Sequence, residues 1–262
     1  MIQRITQLLG SLRTPAPHRA LNGAQVLGDV QLRIDNAATL EIDPSVTLRN
    51  CTITLRSGAS LTLGQGAIID GATITIDGRG RCTVGKGALL ERVGRYAMDI
   101  HVADGALTIG AGSRVRASCV VQFDGRLAIG QRTFINEGSE IRCDDSVTIG
   151  DYTLISYEAC IFDTNTHSTD WRVRRAAITT AAPHQICAEP RPNHAPVVIG
   201  NDCWIGQRAA LLKGATVGDR AIVALGAVVT GEVPSDHLAR GNPATIQRLS
   251  GASPAPALRG AA

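Results

Sequence analysis

The second half of this chain repeats every six residues, and few folds accommodate that period. Ile199, Ile205, Leu211, Val217, Val223 and Val229 are spaced by six, and four positions after each of the first five comes a small residue: Cys203, Ala209, Ala215, Ala221 and Ala227. An amphipathic helix repeats near 3.6 and an ordinary strand alternates with period two. One large aliphatic and one small residue in six describe a strand too short to stand alone. Its aliphatic points inward, and the chain then turns a corner into the next unit. Three such sides make one coil of a solenoid, which is stable only because coils stack. A four-residue phrase carries the same pattern through the chain, ending at Gly64, Gly85, Gly110, Gly130, Gly150 and Gly200.

The first half obeys the rule with longer sides. Ile34, Ile42, Leu48, Leu55, Leu63, Ile69, Ile76 and Val84 step by 8, 6, 7, 8, 6, 7 and 8, so a coil there takes 21 residues. From Ile109 the steps become 6, 6, 8 through Val115, Val121, Ile129, Ile135, Ile141 and Ile149, followed by Ile155 and Ile161. Between Val84 and Ile109, 25 residues replace 21, and the phase around Tyr96 and Ile100 is ambiguous. After Ile161 the pattern resumes only at Ile199, so about 30 residues are ejected at one corner. The expected organisation is a cap over residues 1–25, with Ile2, Ile5, Leu8, Leu9 and Leu12 on one helix face, then a solenoid domain over 26–248 with its ejected loop at 162–196. A disordered polar tail is expected over 249–262.

Composition agrees with a core of small and β-branched side chains: aromatics are 3% of the chain, and Gly reaches 28 of 262 residues. Lys plus Arg number 26 against 23 Asp plus Glu, a net +3 that gives no basis for a nucleic-acid partner. Seven cysteines without a CxxC pair argue against a disulfide framework or zinc ribbon and predict a reducing, cytoplasmic setting. No apolar run is long enough for a signal peptide or a membrane span, so membrane association is expected to be peripheral at most.

Several phrases resemble the hexapeptide-repeat acyltransferases. They are Phe134 Ile135 Asn136; Asp163 Thr164 Asn165 Thr166 His167 Ser168 Thr169 Asp170; and Pro196 to Gly206, reading PVVIGNDCWIG. Ala227 to Pro234 (AVVTGEVP) and Gly241 Asn242 Pro243 Ala244 complete the set. The resemblance is close over about residues 130–248 and rests on the repeat alone before that. It is strongest to the maltose, galactoside and nodulation-factor acetyltransferases and to their relatives that O-acetylate polysaccharides. It implies an all-β fold, a left-handed parallel β-helix with a short N-terminal helical cap, one long ejected loop and a short C-terminal segment. It also implies a homotrimer, and acetyl-CoA as cosubstrate with no metal required.

By the same resemblance, His167 is the general base, Asn136 lines the acceptor pocket, and the pantetheine arm runs past Trp204, Gly206, Leu225, Gly226 and Thr230. The chemistry fits His167, because an alcohol is a poor nucleophile near neutral pH and an imidazole with an ordinary pKa near 6.5 can take its proton. Asp170 can orient the imidazole, bind acceptor, or simply be solvated. Trp171 is a further acceptor-binding candidate, in a loop whose arginines either read an anionic acceptor or form a solvated face. The alternative reading of Asn136 is a polar corner residue and that of Trp204 is corner packing, while Gly206 permits close approach of a backbone or of the pantetheine. One departure concerns CoA: relatives follow Gly-x-Pro-Ala with Lys or Arg, and here Thr245 stands there, leaving Arg240, Arg248 or Lys213 as the phosphate anchor.

The expected activity is acetyl transfer from acetyl-CoA to a hydroxyl of a sugar, polysaccharide or lipopolysaccharide precursor by His-assisted direct attack. The alternatives are N-acyl transfer to an amino sugar, and a non-catalytic β-helix scaffold. A γ-class carbonic anhydrase would need three converging histidines, whereas His167, His184 and His194 crowd into one loop.

Overall fold

In the computed structural model, residues 21–180 and 190–249 are described. Residues 1–20 of the cap expected at 1–25 and residues 250–262 of the tail expected at 249–262 lie outside them, as does His184. Twenty-nine strands, β1 (Gln25–Leu27) to β29 (Thr245–Arg248), wind so that each strand through β25 pairs with the strand three further on. The result is a three-faced parallel prism: face A of 11 strands, face B of 9 and face C of 9.

Coil stacking aligns inward side chains into columns. On face A, Leu48, Ile69, Leu90, Val115, Ile135, Ile155, Ile205 and Val223 stack in register, and every one is buried. On face C, Leu63, Val84, Ile109, Ile129, Ile149, Ile199 and Val217 do the same. Burying aliphatics at roughly 25 cal/mol per Å² is what holds strands of two to five residues in place.

Face B differs from the sequence expectation. It carries two inward columns, one through Ile74, Ile100, Cys119, Ile141, Ile161 and Leu211, the other through Leu55, Ile76, Val102, Val121 and Cys143. Val121 therefore stacks on Cys143, and Ile141 stacks on Cys119, not on Val121 as an even 20-residue step implies. The cause is corner length. Residues 116–117 turn from face A to B in two residues and 122–125 turn from B to C in four, whereas in the next coil 136–139 take four and 144–145 take two.

The ambiguous 25-residue coil resolves as a seven-residue corner, 92–98, after which Ile100 and Val102 sit on Ile74 and Ile76. The pattern also continues past Val229, through the buried Val233 and Ala239, before β28 (His237–Arg240) meets β29 in the one antiparallel pairing between named strands. That hairpin covers the terminal edge of face A.

At one corner from face A, hydroxyls form an internal ladder. Ser113 Oγ donates to Gly130 O (2.7 Å) and accepts from Thr133 N (2.9 Å), and Thr133 and Thr153 repeat the scheme up to Cys203. Each satisfies two buried backbone groups of adjacent coils, which explains why small polar residues occupy these inward corners.

Candidate functional site

The ejected segment leaves from the edge between faces B and C and is not a structureless loop. Its described residues carry one helix, α1 (Trp171–Thr180), and its two ends are zipped together. Asn165 N donates to Asn193 O (2.9 Å), Ala195 N to Asp163 O (2.9 Å), and Thr164 bridges His194. Beneath this root lies Asp163, fully buried, with Oδ1 accepting from Asp144 N and Oδ2 from Asp145 N, both at 2.8 Å. Burial raises its pKa against the lowering effect of those two N–H groups. His167 is exposed at the mouth of the insertion, directly after Thr166, a β-branched residue held at φ 62°. Such a residue in the left-handed region is strained, and the surrounding hydrogen bonds must hold it there.

Asp170, expected to orient the imidazole, bind acceptor or be solvated, has a structural task in the helix. Its Oδ1 accepts from Arg172 N (2.8 Å), the geometry of a helix N-cap, and its Oδ2 lies 3.6 Å from Arg172 Nη1. Trp171 opens α1, half exposed, with the guanidinium of Arg175 4.6 Å and that of Arg172 5.1 Å from its ring centroid.

The remaining candidates gather elsewhere. Asn136, Gly206, Leu225 and Gly226 line the edge between faces A and B, with Trp204 projecting from face A beside them. Asn136 is 7% exposed and its Nδ2 donates to Ile155 O (3.1 Å), so one amide hydrogen is already engaged. Trp204 is 51% exposed and its Nε1 donates to Ser156 Oγ at 3.3 Å. A Cβ on Gly206 would lie 2.6 Å from Leu225 N, so the close approach this glycine permits is that of the next coil's backbone. Leu225 is 70% exposed, and Gly226 has φ 67° with open space where a side chain would be.

Arg240 ends β28 at this same edge, directly across the hairpin from Thr245, whereas Arg248 pairs with His237 at the hairpin's other end. The two arginines that sequence reading treats as equivalent are thus separated. Thr230 follows β26 (Val228–Val229) at the B–C edge, on the side of His167.

Sequence reasoning missed one cluster here. The long corner at 92–98 sends Tyr96 across to Gly138, where an added Cβ would meet its ring at 2.8 Å, and its hydroxyl donates to Glu158 Oε1 (2.7 Å). Arg208 Nε donates to Glu158 Oε2 (2.6 Å). The tyrosine hydroxyl, then the arginine, hold the Glu158 carboxyl below its ordinary range. The four surplus residues between Val84 and Ile109 were the available signal, but not their destination.

A family model described as bacterial transferase hexapeptide (six repeats) matches residues 196–231. A hexapeptide-repeat-containing acetyltransferase from Vibrio cholerae O1 biovar eltor, solved in complex with acetyl coenzyme A, is 33% identical. The similarity covers 53% of this chain and 69% of that one, at a TM-score of 0.44. The chain belongs to the hexapeptide-repeat acyltransferase family. Its coil is a left-handed β-helix, the fold it shares with the polysialic-acid-specific acetyltransferase NeuO at TM-score 0.54 and 18% identity, over 82% of this chain and 88% of that one. The 2,3,4,5-tetrahydropyridine-2,6-dicarboxylate N-acetyltransferase of Staphylococcus aureus (strain JH9) is 46% identical over 55 residues, 21% of this chain and 23% of that protein. The chain spans about a quarter of the length of the curated relatives it matches.

Proposed function

We propose that this chain transfers an acetyl group from acetyl-CoA to a sugar hydroxyl of a polysaccharide or glycoconjugate precursor, at sites shared between the subunits of a homotrimer. The observation that carries the reading is the separation of the candidate residues. His167 stands at the B–C edge, while Asn136, Gly206, Leu225, Gly226 and Arg240 line the A–B edge. One chain does not bring them together; a second copy, presenting its A–B edge to the first chain's B–C edge, does. Face A supports this, because its outward register column includes Ile68, Leu154 and Trp204, all exposed and apolar.

In the proposed step, the His167 imidazole takes the proton of the acceptor hydroxyl as its oxygen attacks the thioester carbonyl. A backbone N–H at a coil corner meets the developing oxyanion. The tetrahedral intermediate collapses with C–S cleavage, and the proton passes from the imidazolium to the departing sulfur. No cysteine acyl intermediate is needed, and burial disfavours one: the Cys82 and Cys119 thiols are pushed up to about 12. Arg240 takes the place of the cation relatives carry after Gly-x-Pro-Ala, since it sits across from Thr245 on the exposed hairpin.

The test is His167→Ala. Losing a general base removes about 10² to 10⁴ in rate. Turnover at saturating acceptor should fall at least ~100-fold with acetyl-CoA affinity nearly unchanged. A variant within a few-fold of the parent would show that the proton goes elsewhere. Running the assay with hydroxyl and amino acceptors of one sugar separates O- from N-transfer.

A further inference from the structure

We propose that the exposed face of α1 binds a carboxylated sugar chain, so that the acceptor is an anionic glycan gripped beside the unit that is acetylated. This deepens the sugar-acceptor reading above and rests on it.

The first observation is where the charges of the insertion go. Among its described residues the only carboxylates are Asp163, which accepts from two backbone N–H groups, and Asp170, which accepts from Arg172 N through Oδ1 and pairs with the Arg172 guanidinium through Oδ2 at 3.6 Å. Against them stand Arg172, Arg174, Arg175 and Arg191. Arg174 and Arg191 are tied to the carbonyls of Ser168 and Asp144, at 2.6 and 2.5 Å. Arg175, and Arg172 beside its pair with Asp170, flank the ring of Trp171, so the accessible charge on this helix is cationic and concentrated around an aromatic face.

The second observation is shape. Trp171, Arg174, Arg175, Ile178 and Thr179 line one open groove of about 360 Å³. They fall at helix spacings of three, four, seven and eight, a stripe about 12 Å long at 1.5 Å per residue. The opposite side of the helix turns Ala177 into the body, where it is buried. An aromatic face takes the C–H surface of a sugar ring, and a guanidinium at its margin takes a carboxylate through charge-assisted bonds. A membrane-binding helix presents a continuous apolar stripe. Here the two exposed apolar side chains, Trp171 and Ile178, are separated by guanidiniums, which favours the glycan.

The third observation is position, since the stripe begins four residues after His167.

The test is calorimetric titration of the full chain, without acetyl-CoA, using oligogalacturonate and oligosialic acid, each beside its carboxyl-reduced, neutral form. Sedimentation with vesicles of phosphatidylcholine and phosphatidylglycerol runs in parallel. At least one acidic chain should bind ~10-fold or more tightly than its reduced form, the scale of one charged hydrogen bond. Binding should weaken with salt. Trp171→Ala and Arg175→Gln should each weaken it by ~10-fold or more, and because Arg175 is exposed the second variant is expected to fold. The proposal is overturned if neither acidic chain binds, if acidic and reduced forms bind alike, or if both variants bind like the parent. It is equally overturned if the parent sediments with vesicles and the same substitutions release it. Because the titration needs no turnover, a chain that binds the acidic glycan but acetylates no sugar would sink the proposed function and leave this inference standing.

Discussion

Replacing Asp163 by Ala asks whether the corner beneath the insertion holds His167 in place. Two backbone N–H groups lose their acceptor, Asp144 N, which is buried, and Asp145 N, which is partly so. A hydrogen bond to a charged group contributes about 1.5–3 kcal/mol, and an orphaned buried donor costs about 1–3 kcal/mol. Against that, the substitution removes a carboxylate whose raised pKa records a desolvation cost. The balance is a loss of about 2–3 kcal/mol. Coils of a solenoid open semi-independently, so the loss should show as local opening of the root, roughly 30- to 150-fold more frequent, with little change in global melting.

Hydrogen exchange at the amides of Asp144, Asp145, Asn165 and Ala195 measures this directly. Turnover should fall at least ~10-fold, within the ~100-fold that a 1 Å misplacement of a catalytic group can cost. Acetyl-CoA affinity should persist, because its candidate residues lie on the other edge. The pH sign is also fixed. The folded-state pKa of Asp163 lies above its ordinary 3.8, so the proton-linked part of its contribution to stability is fullest below 3.8 and is lost as pH rises through the raised value, while the bonds from Asp144 N and Asp145 N persist. Asp163→Asn should remove that dependence. Unchanged exchange together with turnover within a few-fold of the parent would refute the idea that this corner positions the loop.

The solution mass should be that of a trimer, and a strict monomer with full activity would sink the shared-site geometry. Gly206→Ala forces a Cβ to 2.6 Å from Leu225 N, so it should destabilise by about 1–3 kcal/mol in thermal or chemical denaturation, with a wild-type melt as the contrary result. Glu158, whose pKa is lowered by the Tyr96 hydroxyl and then by Arg208, stabilises the fold above its ordinary 4.5 and loses that contribution as pH falls through the depressed value. Acid unfolding of Tyr96→Phe should therefore differ from the parent less as the pH drops, and a constant difference would contradict the assignment.

The sequence by itself determined the coil. A strand's inward residue is set by local alternation of the pleat, so Leu48, Ile69 and Ile199 could be assigned to the interior without knowing their neighbours. The same local signal located the ejection after Ile161, because the register of the coils resumes at Ile199 directly above Ile149. The family phrases marked His167 and the A–B edge residues as candidates.

Tertiary structure decided everything that depends on where corners fall. Two residues moved from one corner to the next re-pair Val121 with Cys143, a change invisible to a count of total coil length. The meeting of Tyr96 with Glu158 spans 62 residues of sequence and exists only because successive coils place those corners one above another. Asp170 became a helix cap because the insertion folds a helix of its own, and Arg240 parted from Arg248 because the terminal hairpin reverses the chain. Which edge a side chain occupies depends on the summed lengths of all the corners before it and on hydrogen bonds between coils. Neither is a local property of the residue, so neither is readable from its neighbours in sequence.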